Sequence, residues 1–368
     1  MHKNFIKPLG SLRFILIAYI VVAHFIRFAT IDPFLLRFFS QHNMLVGSFF
    51  ALSGYLMSYS YIKATDAETR ALSFGPFIKK RLARIYPLHF FVLLLFSPLF
   101  IYVDLYYGHG LKTVYHAFLV FSLTQAWLPS SAESWNSPSW FLSAIFFSYS
   151  IFPFIQKPIA RLKVKDIRKV LAAVFFFSLG IKIAYSNYCG WMIMEGLQPI
   201  KALWLFNLVR FNPLINFLDF AMGIFTARLV LLSKNKIPAI LSTELLFTAL
   251  LSLLFLRCFV DINDMIARTL LFLPLSLLFF ASLESGKGPL CKALSSPFSL
   301  YLGEISFALY IVHGAIGQLF YKKAIKQLFF QEPVPIVVFY ISVLVAAITL
   351  HHLLEKPLGK RLSNLIKS

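Results

Sequence analysis

An all-α, polytopic transmembrane bundle of about ten helices, with both termini in the cytoplasm, is the fold class this sequence predicts. Three observations carry that expectation. Of 368 residues, 59% are hydrophobic and only 14% charged, with a mean hydropathy of +0.75, which is too apolar for a soluble domain of this length. Apolar runs of roughly 17 to 25 residues, the length that crosses a hydrocarbon core about 30 Å thick, recur along the chain. Lysine and arginine fall in short clusters between those runs, so the net charge of +20 reads as membrane topology and not as a nucleic-acid footprint.

The elements follow in order. The basic start MHKNFIKPLGSLRF leads into an apolar run without a small-residue cleavage site, which predicts a retained first helix near 14–30. A second span is expected near 43–62. In FGPFIKKRLARIYPLHF, Phe74, Phe77, Ile78, Leu82 and Ile85 form an apolar stripe beside Lys79, Lys80, Arg81 and Arg84. That pattern predicts a helix lying on the cytoplasmic face, which leads into a third span (87–106) near Pro87. Residues 113–127 suit an interfacial or re-entrant element better than a crossing. The polar ESWNSPSW opens a fourth span near 138–156, and its two tryptophans read as interfacial anchors. Further spans are expected near 169–187, 211–229, 239–260, 265–284, 299–320 and 334–354.

With 113–127 not crossing, 24 of the 35 basic residues lie on the N-terminal side and 10 on the other, which places both termini in the cytoplasm. Lys182 is left inside a span, and Lys322, Lys323 and Lys326 stand against the rule. A single membrane domain over 1–368 is expected, with no appended soluble domain. Cys189, Cys258 and Cys291 have neither a CxxC spacing nor an even count, and read as small apolar residues. No metal site is expected. The halves show no convincing similarity, which weighs against a transporter.

Ionisable side chains inside a membrane need a partner or a job. Arg13 and His24 are eleven residues apart, close to three helical turns, so they share a face about 16 Å apart. Arg13 then sits at the cytoplasmic edge and His24 near mid-membrane. Two readings of His24 are open: a polar residue bonded to a neighbouring helix, or a base that takes a proton from a hydroxyl. Imidazole suits the second, because it titrates near neutrality and burial away from a countercharge favours its neutral form. Arg81 and Arg84 read either as topological anchors or as a grip on an anionic donor such as the phosphates of coenzyme A. Tyr310 and His313 lie three apart on the ninth span, and Glu355 with Lys356 reads as an interfacial pair after His351 and His352.

In this order the pieces resemble the acyltransferase 3 family of bacterial membrane O-acyltransferases, over nearly the whole chain. Arg13 and His24 look like its first-span pair. FFALSGYLMS, which contains Ser53, is similar to its FFxLSGFL element, RLARIYP to RxxRIxP, and SWFLS, which contains Ser139 and Trp140, to SWxLS. ALYIVH, with Tyr310 and His313, and LEKP, with Glu355, look like its C-terminal signatures. One departure stands out: where many members carry two glutamates after SWxLS, this chain has Ile145 and Phe146. Either the carboxylate is dispensable, or Glu133 or Glu355 substitutes for it, or the activity differs.

The resemblance implies a multi-pass protein of the bacterial inner membrane with no bound cofactor. It would move an acyl group, most simply acetyl, from cytoplasmic acyl coenzyme A to a hydroxyl of a glycan such as a lipopolysaccharide or exopolysaccharide. His24 would be the catalytic residue, as base or as acyl carrier. Arg13, Arg81 and Arg84 would engage the donor, and Ser53, Ser139, Trp140, Tyr310, His313 and Glu355 would support the site. Membrane lipid, acyl coenzyme A and the glycan are the expected partners, with no nucleic acid. The competing class is a transporter or flippase for an anionic lipid-linked substrate; a third is a structural or polymer-assembly membrane protein without catalysis.

Overall fold

A computed structural model describes residues 6–28, 31–62, 68–194, 199–233, 242–325 and 335–365. The described chain is helical and contains no strand. Helices α1 (Ile6–Phe25), α2 (Pro33–Phe39), α3 (His42–Tyr61), α4 (Phe74–Tyr106) and α5 (Lys112–Phe121) come first. They are followed by α6 (Trp140–Arg161), α7 (Val164–Met194), α8 (Pro199–Phe211), α9 (Pro213–Leu232) and α10 (Thr243–Leu256). The remainder is α11 (Asp264–Ala267), α12 (Leu273–Ser282), α13 (Pro289–Leu294), α14 (Pro297–Tyr321), α15 (Ile336–Leu350) and α16 (Lys356–Leu365).

Among the described residues, seven helical stretches are long and apolar enough to cross a membrane: Lys7–Phe28, Phe74–Tyr106, Ser137–Arg161, Trp204–Leu232, Asp264–Ser282, Pro297–Tyr321 and Ile336–Leu362. Helices α3 and α7 are long but more polar, and α10 is a shorter apolar helix. Helix α5 has ten residues, about 15 Å, which is too short to cross.

The surface helix expected over 74–90 is not a separate element. Helix α4 runs unbroken for 33 residues with Pro87 and Pro98 inside it, so the basic segment is the first turns of a long span. The tryptophans of ESWNSPSW are not lipid-facing anchors either, since Trp135 and Trp140 are both buried.

The polarity of α3 has a packing reason. Helices associate in lipid through close backbone approach at small residues, because lipid tails supply no hydrophobic drive between them. A Cβ added at Gly54 would overlap the Phe220 carbonyl of α9, and one added at Gly223 would overlap the Ala51 carbonyl of α3. The two helices therefore touch backbone to backbone. Gly223→Leu is expected to force them apart, at a cost of at least about 1–3 kcal/mol, seen as a lower melting temperature in detergent.

Two π-helical turns interrupt the bundle, Arg268–Phe272 and His351–Glu355, each ending two residues before a proline (Pro274 and Pro357). A proline has no N–H for the carbonyl four residues back, and the ladder shifts register there. The first turn holds Arg268 buried in the interior, where it pairs with Asp219 of α9, and the residue is not a helix-end charge as the topology count assumed. Lys182 of α7 meets the same carboxylate at 3.3 Å and also bonds Thr269, which gives the cation left inside a span its partner. Asn216 accepts a bond from Arg268 at 2.8 Å. Of the cysteines, Cys258 and Cys291 are buried and unpaired, while the Cys189 side chain lies outside the described residues.

Candidate active site

His24 sits in the last turn of α1, nearer the far end of the span than the midpoint that residue counting suggested. Its Nδ1 is 3.1 Å from Nε2 of His313 on α14, and the two rings stack with centroids 5.3 Å apart. His313 is fully buried, and its Nδ1 lies 2.6 Å from the Tyr310 carbonyl one turn back. A carbonyl can only accept, so His313 carries its proton on Nδ1 and offers a bare Nε2 to its neighbour. His24 must then donate from Nδ1, which leaves its own Nε2 unprotonated. A backbone oxygen thus sets the tautomer of both rings.

A third imidazole completes the cluster. His42, at the start of α3, meets the His24 ring edge-on at 4.8 Å between centroids. Its Nδ1 lies 3.2 Å from the Ser40 carbonyl, and its Nε2 accepts from the guanidinium of Arg210 on α8, also at 3.2 Å. By the same reasoning His42 is neutral, and Arg210 brings a positive charge beside it, with Arg27 also within electrostatic reach of His24.

His24 lies where two cavities meet. The inner one, about 30 Å³, is lined by Ile20, His42, Trp140, Phe141, Arg210 and Tyr310, and has room for little beyond a water molecule or one hydroxyl. The outer one is a vestibule of about 1020 Å³ that opens at the ends of α1, α4 and α14 remote from the N-terminus. A loop between α5 and α6 roofs the site and is tied to α14 by three bonds. The Tyr310 hydroxyl and the Gln318 amide donate to the carbonyls of Pro138 and Trp135, and Asn136 donates to the Ile311 carbonyl at 2.8 Å. Trp135 takes a left-handed backbone conformation, φ 57°, to make these contacts, which is uncommon for a bulky residue.

The predicted residues separate into groups. His24, Trp140, Tyr310 and His313 come together. Arg13, Arg81 and Arg84 form a second cluster toward the N-terminal end of the bundle, where Arg13 interacts electrostatically with Arg84, Tyr149 and Arg81. Arg81 donates to the Tyr61 hydroxyl at 2.7 Å and stacks on the rings of Tyr61, Phe77 and Tyr149 at 5.1–5.6 Å, while Arg84 is exposed. Glu355 belongs to this end, within electrostatic reach of Arg84 and bonded to His351 at 2.8 Å, and is not the interfacial partner of Lys356 that the sequence suggested. Ser53 and Ser139 join neither group. Ser53 bonds its own helix at Phe49, and Ser139 accepts from Gln125 at 3.1 Å.

Ile145 is buried in the apolar core, and no carboxylate among the described residues bonds His24. His42 and Arg210 were missed from the sequence. The available signal was that both stand at span ends on the same side as His24.

A helical membrane bundle with a half-buried imidazole open to a large vestibule is consistent with a membrane-embedded acyltransferase, and similarity to known proteins gives that class. The family profile described as "Acyltransferase domain" matches residues 9–352, and the chain belongs to this acyltransferase 3 family. It is also similar to the acyltransferase MdmB of Streptomyces mycarofaciens, 26% identical over 283 residues, which cover 76% of this chain and 69% of that protein. No solved structure matches.

Proposed function

We propose that the protein is a bacterial inner-membrane enzyme that moves an acyl group, most simply acetyl, from cytoplasmic acyl coenzyme A to a glycan hydroxyl. In this reading the chain crosses the membrane about ten times, with both termini cytoplasmic. The observation that carries the chemistry is the chain from the Tyr310 carbonyl through His313 to His24, which leaves His24 Nε2 free to accept a proton.

The acceptor enters from the vestibule and places its hydroxyl at His24. As Nε2 takes the proton, the oxygen attacks the thioester carbonyl, the new C–O bond forms and the C–S bond breaks. The departing thiolate then takes the proton back. Charge gathers on the carbonyl oxygen during attack, and the Arg210 guanidinium at the same cavity stabilises it. At the other end, Arg13, Arg81 and Arg84 hold the donor phosphates while its extended arm brings the thioester to His24.

Surface glycans from a deletion strain, the complemented strain and a strain carrying His24→Ala provide the test. Mass spectrometry should find one acyl increment lost on deletion and restored by the wild type alone. Identical glycans in all three would overturn the proposal. Single turnover with labelled donor separates the two roles of Nε2, since only an acyl carrier would hold the label covalently.

Arg81 gives a narrower prediction. Its fork is fixed by the three rings and the Tyr61 hydroxyl, so Arg81→Ala is expected to raise the KM for the acyl donor about tenfold while kcat stays nearly unchanged. Steady-state kinetics at varied donor concentration would show it.

A further inference from the structure

The vestibule is strongly cationic. Arg27, Lys112, Arg210, Lys322 and Lys323 line it against two acids, Asp104 and Glu133. Asp104 is already spent. One oxygen faces His109 Nδ1 at 2.9 Å, and the other faces His116 Nδ1 at 2.9 Å and accepts from the Trp135 indole at 3.1 Å. Glu133 accepts from Ser137 at 3.0 Å. Lys322 and Arg27 lie over the rings of Tyr107 and Phe28, at 5.2 and 5.1 Å. Among the described residues no ion pair joins Arg27, Lys112, Lys322 or Lys323 to a carboxylate.

Helix dipoles explain part of this. Arg27, Arg210 and Lys322 stand at or just beyond helix C-termini, where cations are favoured. Lys112 and Lys323 do not fit, because Lys112 is the first residue of α5 and Lys323 opens the helical turn that follows α14, so each sits at a positive helix end. Membrane topology does not explain the group either, since with the N-terminus cytoplasmic these charges lie on the side where lysine and arginine are depleted. A cationic cavity with low-dielectric walls concentrates anions.

We infer that the vestibule recognises an acceptor bearing an anionic oxygen group, a phosphate or a carboxylate, near the hydroxyl to be acylated. This rests on the transferase reading. Lys322 and Lys323 hold the anion, and the bound acceptor points its hydroxyl toward His24.

The test uses the purified full-length chain in detergent and three matched oligosaccharides: neutral, with one phosphate, and with one uronate carboxylate. Binding is measured by thermophoresis over a salt series, and acyl transfer to each probe is followed in parallel. At least one anionic probe should bind about tenfold more tightly than the neutral one at low salt, with the difference fading as salt rises. The probe that shows the gain tells phosphate from carboxylate. The Lys322→Gln, Lys323→Gln double variant should lose the preference, Lys322→Arg, Lys323→Arg should keep it, and Lys165→Gln should leave it unchanged. Equal binding of all three probes, or an undiminished preference in a folded double glutamine variant, overturns the inference. Anion-selective binding without acyl transfer would count against the transferase reading alone.

Discussion

His24→Ala is expected to lower the rate of acyl transfer about a thousandfold, within the usual range for loss of a positioned base, while the KM for the donor moves little. The reason is positional. No other imidazole at the site has a bare nitrogen to offer: Nε2 of His313 is occupied by His24, and Nε2 of His42 by Arg210. In the proposed mechanism His313 acts through its contact with His24, so His313→Ala should also lower kcat. His313→Gln, which restores an acceptor for His24 Nδ1, should recover part of the loss, whereas a merely structural role would not separate alanine from glutamine in that order.

The second large effect is structural. Asp219→Ala would leave Lys182 and Arg268 buried in the bundle with no carboxylate between them. Removing one partner of a buried ion pair costs roughly 3–5 kcal/mol, because the remaining charge is uncompensated, and here two charges are exposed to that penalty. Thermal unfolding in detergent should show a large drop in melting temperature. Asp219→Asn, which keeps the shape and one acceptor oxygen, should fall between the two. A melting temperature equal to the wild type would mean the three groups contribute nothing to stability.

The positions of the apolar helices were legible because hydropathy depends on composition within a short window, and helices lie in all ten predicted segments, seven of which fall in stretches meeting the length and apolarity of a crossing. Local rules misplaced Pro87. A proline after a basic stripe normally marks a helix start, yet α4 continues through it, packed against α6 and α14. His24 stood out in the sequence because an isolated imidazole in an apolar run is costly. His42 and Arg210 did not, since at a span end each has an ordinary topological meaning. Their convergence depends on how α1, α3 and α8 pack, and no local pattern encodes that. The partner of Lys182 was hidden for the same reason: Asp219 lies 37 residues away on another helix.

The Tyr310 carbonyl at the end of the imidazole pair is an amide oxygen, which accepts a hydrogen bond but has almost no affinity for a proton. A carboxylate in that place would hold the imidazolium and let the centre linger in a charged state. In the proposed reaction the pair would work as a revolving door: the proton that enters from the hydroxyl leaves with the thiolate, and none stays behind between turnovers. In the proposed reaction the chemical step is therefore electrically closed, and a protein built across an energised membrane can run it without drawing on the proton gradient around it.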